Sequence, residues 1–136
     1  AEDEALGRLQ RQEWDPYLAW SAAALDAPLR TIEGVMAVEQ PEASLTAIRV
    51  QAEALDDWRL TGLASATPLL GSIVLAFALL HGEADAETAF SVSRLEERFQ
   101  NGKWGEDAEA AERAANMLRD LKGVERLFRL LDAADD

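Results

Sequence analysis

The chain has 136 residues, 49% of them hydrophobic, which is enough apolar material to offset the entropy of ordering one domain and so excludes disorder. Its formal net charge of −13 argues against nucleic acid and against an anionic membrane surface, and favours a partner with basic patches. There is no cysteine and one histidine, His81, so disulfides, thiolate sites and multi-His metal centres are ruled out and no cofactor is expected.

Alanine supplies 26 residues, and alanine is the strongest helix former. Residues 2–13 are polar and helix-prone. Asp15-Pro16 reads as a helix start, because Asp can cap free N–H groups and Pro fits the first turn. That helix is predicted from Pro16 to about Leu25, with Pro28 ending it. Residues 29–38 suit an extended segment with a bend at Glu33-Gly34. Pro41 restarts a helix with Leu45, Ile48, Ala52 and Leu55 as its apolar stripe, and Asp56-Asp57 marks a break.

From Leu60 to Gly82 there is no Asp, Glu, Lys or Arg. Thr67-Pro68 splits this run, and the continuous stretch from Pro68 to Leu80 would be about 20 Å long as a helix, short of the ~30 Å hydrocarbon core. It therefore reads as a helix surrounded by other helices, with no membrane insertion. Asp85 can cap the next helix, about 86–100, which Asn101-Gly102 stops. Trp104-Gly105 forms a corner, and a last helix covers about 106–133. The whole is predicted to be mainly α. It is read as a single helical domain over 1–136, with about five to six helices around a buried uncharged helix (about 68–81) and one short extended segment (about 29–38).

No phosphate loop, dinucleotide fingerprint or nucleophile elbow occurs. His81 ends the most hydrophobic stretch, where a histidine usually interacts with the helix's negative end. The paired acids read as solvated surface by default, and the four tryptophans as core. Glu96 is less bland. On a continuous helix over 86–100 it falls about 40° from Val92, inside the apolar face formed by Thr88, Val92, Leu95 and Phe99. A carboxylate at a core edge needs a partner or a wet groove; Arg94, Arg98, Lys103 and the Trp104 N–H are candidates. Glu96 reads either as half of a helix-to-corner salt bridge or as a carboxylate held ready for a basic group on a partner; the functions to weigh are a carboxylate-dependent enzyme using Glu96 with Arg94 and a protein-binding helical adaptor.

Ser93 to Asp107, SRLEERFQNGKWGED, resembles the signature of the ATP synthase α-subunit assembly chaperones. In that family S-R-L-E-E is followed by an aromatic–Gln pair, here Phe99-Gln100, and a W-G corner, here Trp104-Gly105. The W-D-P-x-x-x-W block at Trp14 to Trp20, the E-G-x-M-x-x-x-Q-P block at Glu33 to Pro41 and the helix from Gly71 agree in order and spacing. The resemblance implies the C-terminal helical domain of a longer protein whose β-rich N-terminal domain is absent here. It implies a non-enzymatic role: binding the free α subunit of F-type ATP synthase and preventing its aggregation before it joins β, without nucleotide or metal. A monomer is expected, in the bacterial cytoplasm or the mitochondrial matrix. The family's functional glutamate falls at Glu96 or Glu97, and the partner-binding set is Glu96, Glu97, Arg94, Trp104, Gln100 and Phe99. Eukaryotic members carry an acid where this chain has Arg98 and a His-Asp pair where it has Ala111-Glu112, so contacts through those groups are not implied.

Overall fold

The computed structural model describes residues 2–32, 35–36 and 39–135. Among them are seven helices, not five to six. The chain divides into two compact units, Ala1–Asp56 and Asp57–Asp136.

In the first unit, α1 runs Glu2–Ala24 with Pro16 inside it. The predicted start at Asp15-Pro16 is therefore corrected: the helix continues through the proline and forgoes one backbone bond. It ends where Asp26 takes a positive φ of 55°, and the Ser21 carbonyl accepts from Leu25 N–H and Ala27 N–H at 3.0 and 3.1 Å. The buried Ser21 hydroxyl donates back to Ala27 O at 2.8 Å. Thr31–Ile32 (β1) and Val35–Met36 (β2) then pair antiparallel. The expected bend at Glu33-Gly34 lies outside the described residues. Gln40 closes the open end of this ribbon, with its amide accepting from Arg30 N–H at 2.9 Å and donating to Arg30 O at 3.1 Å. Helix α2 follows, Glu42–Glu53. Ser44 is buried and its hydroxyl donates to Pro28 O. Leu45, expected in the apolar stripe, is instead 52% exposed.

The second unit opens at the predicted Asp56-Asp57 break with α3, Asp57–Leu70. Pro68 sits inside α3 and does not start the next helix. The break falls at Gly71, φ 64°, and Ser72 caps the next helix by accepting Leu75 N–H at 3.1 Å. The central helix, α4, is thus Ile73–His81 and not 68–81. Val74 through Leu80 are all buried, as an uncharged helix with no polar face requires. α5 (Ala86–Ser93), α6 (Leu95–Trp104) and α7 (Ala108–Asp135) complete the unit. Helix α4 packs against α3, α5 and α7.

Two side chains of α7 fix this packing. Phe128 is fully buried and lies against Gly62 of α3. Arg129 reaches the end of α4 and donates to the carbonyls of Leu79 and Leu80, the latter at 3.0 Å. A cation there neutralises the helix's negative end. Arg59 of α3 ties down the end of α7 through Asp132 at 3.0 Å and Asp135 at 2.7 Å. Among the described residues no helix is long and apolar enough to cross a membrane.

Candidate functional site

The start of α5 is held twice over. Asp85 accepts Thr88 N–H at 2.7 Å, the cap expected from the sequence, and this bond holds its carboxyl below the usual value of 3.8. Glu125 of α7 accepts Ala86 N–H at 2.9 Å. From this anchored start the helix runs only to Ser93. Arg94, at φ −108° and ψ 25°, ends α5 and begins α6. Its N–H still bonds Phe90 O and Ser91 O at 3.1 and 3.2 Å, and its guanidinium lies over the Phe90 ring, 5.3 Å from the centroid. Arg98 Nε donates to Ser91 O at 3.0 Å across the break.

The break re-phases everything after it. A single helix over 86–100 would put Glu96 at the apolar edge, but in the structure Leu95 is the buried residue and Glu96 and Glu97 are both exposed. They occupy the first turn of α6, where the free N–H groups favour negative charge. The two consecutive acids mark this helix start, whereas a single helix over 86–100 would place them in its interior. Phe99 is half-buried beneath Lys103, whose Nζ lies 5.2 Å from the ring centroid. Gln100 is exposed. Trp104 is 79% exposed, so neither it nor Trp58, at 67%, belongs to the core. Gly105 closes the helix at φ 82°, ψ 167°. The six predicted site residues therefore all lie within or beside α6, but on different faces of it.

The sole histidine has a different setting. His81 ends α4 and stacks on Phe77, with centroids 6.1 Å apart and planes at 9°. Arg129 also reaches this helix end, donating to the Leu80 carbonyl. Loss of hydration lowers the His81 pKa below its ordinary 6.5; Asp132 opposes this and Arg129 adds to it. The unfolded chain then binds the proton more readily than the folded one. The stability contribution is complete above the unfolded value and falls as pH drops through the window beneath it. Urea unfolding of the wild type and of His81→Gln is expected to show a decline below about pH 6.5 that is shallower in the variant; parallel curves would contradict it.

No family model matches the chain. It is similar to the protein atp12, mitochondrial, of Schizosaccharomyces pombe, with 27% identity over 115 residues, 79% of this chain and 40% of that protein. Among solved structures it is similar to Atp12 from Paracoccus denitrificans, with a TM-score of 0.88 and 41% identity over 93% of this chain and 55% of that one. A candidate chaperone from Agrobacterium tumefaciens, Atu1473, gives a TM-score of 0.83 and 36% identity over 94% of this chain and 48% of that one. The chain thus spans about half the length of the relatives it matches.

Proposed function

We infer from the chain's homology, in sequence and in structure, to the C-terminal helical domain of the Atp12 family of ATP synthase assembly chaperones that it binds the free α subunit of F-type ATP synthase and prevents its aggregation before it joins β. The observation that carries this reading is the 41% identity and TM-score of 0.88 to Paracoccus Atp12 over nearly the whole chain. The physics is consistent with the role. A free subunit exposes surfaces that assembly later buries, and such patches aggregate. A soluble acidic scaffold with an exposed indole and carboxylates suits holding them. In this reading the chain is the helical domain of a longer protein, acts as a monomer, and works in the bacterial cytoplasm or the mitochondrial matrix.

The role is non-enzymatic. The enzyme reading needs a deep pocket around Glu96, and Glu96 is exposed on α6. Co-expression with the α subunit tests the proposal: more soluble α subunit, recovered with the protein, is the expected result. Recovery of other proteins but no ATP synthase subunit would favour an adaptor role.

Reversing the acidic charge, Glu96→Lys with Glu97→Lys, is expected to weaken α-subunit binding by roughly tenfold or more, while stability changes little, as for exposed surface positions. Binding isotherms and thermal unfolding on the same preparations separate the two effects. A large drop in Tm would assign these acids a structural role.

A further inference from the structure

Helix α6 has a face turned directly away from its buried residue. At 100° per residue from Leu95, Glu97 falls at about 200° and Trp104 at about 180°, with Gln100 and Asn101 at about 140° and 240°. Glu97, Gln100 and Trp104 are exposed. Glu96, at about 100°, lies on the flank shared with Lys103, at about 80°. The cations of the helix are turned to other faces: Lys103 lies over Phe99 and Arg98 bonds the Ser91 carbonyl. The outward stripe therefore carries a carboxylate, two amides and an indole, and no cation of its own.

We infer that this stripe is the contact face of the proposed chaperone site, and that it takes a basic segment of the partner protein, one cation bonded to Glu97 and an arginine stacked on the Trp104 indole. The inference rests on the binding role proposed above and assigns Glu97, not Glu96, as the contact carboxylate. Charge complementarity argues for it, since a chain of net charge −13 attracts basic segments. The indole supplies the second half. Tryptophan is the strongest aromatic acceptor of a cation, arginine is its commonest partner, and tryptophan is enriched among residues that dominate binding energy. Seven residues separate the two groups, about 10 Å along the helix. Two cations seven apart on a partner helix, two turns along one face, match that distance.

The test compares α-subunit binding by the wild type, Glu96→Gln, Glu97→Gln, Trp104→Ala and Trp104→Phe, with thermal unfolding as a check on folding. Glu97→Gln and Trp104→Ala are each expected to weaken binding about tenfold, Trp104→Phe less, and Glu96→Gln by no more than about twofold. Added salt should weaken the wild type more than Glu97→Gln. A second arm titrates a helical peptide with two arginines seven apart while following the Trp104 indole N–H resonance, identified by its loss in Trp104→Phe. The arginine peptide should shift that resonance and its glutamate counterpart should not. If the α subunit fails to bind but the arginine peptide shifts Trp104, the stripe stands and the chaperone reading falls. If the α subunit binds and neither Glu97→Gln nor Trp104→Ala weakens it, the stripe is overturned and the chaperone reading survives. A peptide that leaves Trp104 unmoved also overturns the stripe.

Discussion

Truncating Phe128 to alanine is expected to cost about 3–5 kcal/mol, the range for removing a buried aromatic. That is a large share of the 5–15 kcal/mol typical of a whole domain. Phe128 is fully buried, and it lies where α7 meets α3. The reason it fits is Gly62. A Cβ at position 62 would stand 2.9 Å from Phe128 Cζ and closer still to Cε1. The ring occupies the space a larger residue on α3 would fill. Gly62→Ala should therefore also destabilise, by about 1–3 kcal/mol through overpacking. The two positions are in contact, so their effects should not add. Combining Gly62→Ala with Phe128→Leu is expected to cost less than the sum of the singles. Urea unfolding of the four proteins measures this coupling, and strict additivity would show that α3 and α7 do not meet through this pair.

Gly105→Ala is expected to cost about 1–3 kcal/mol by a different route. At φ 82° and ψ 167° Gly105 occupies a backbone region open essentially only to glycine. No atom lies within 4 Å of a Cβ built there, so the penalty is backbone strain and not crowding. Gly102, also with nothing within 4 Å but inside α6, is the control: Gly102→Ala should stabilise, by up to about 1 kcal/mol. Relief of strain at position 105 would also turn Trp104, so α-subunit binding should weaken in Gly105→Ala and hold in Gly102→Ala. Equal stability changes at the two positions would refute the account of the corner.

Where local chemistry and packing agree, the fold was legible. The most apolar part of the uncharged run, Val74 to Leu80, marks the core, Asp85 marks a cap, and Asp56-Asp57 marks a break, because local chemistry and packing point the same way there. The prolines misled. Pro16 and Pro68 both look like helix starts, yet each is carried inside a longer helix, so the single lost bond was outweighed by the rest of the helix. Arginine is a good helix former, so the break at Arg94 is marked only by the acids that follow it, Glu96 and Glu97, in the first turn of α6. Missing it shifted the phase of α6 and placed Glu96 on the wrong face. That the six candidate residues lie together in or beside α6 was legible, but their division between flank and outward stripe was not. Trp104 misled for a related reason: size and apolarity predict burial, yet its side chain is exposed at the corner.

The most direct measurement is light scattering from unfolded α subunit diluted into buffer without ATP, with and without one equivalent of the protein. Suppressed scattering, with the α subunit recovered in a soluble complex, is the expected outcome. Unchanged scattering at that stoichiometry, from protein shown to be folded, would contradict the assignment.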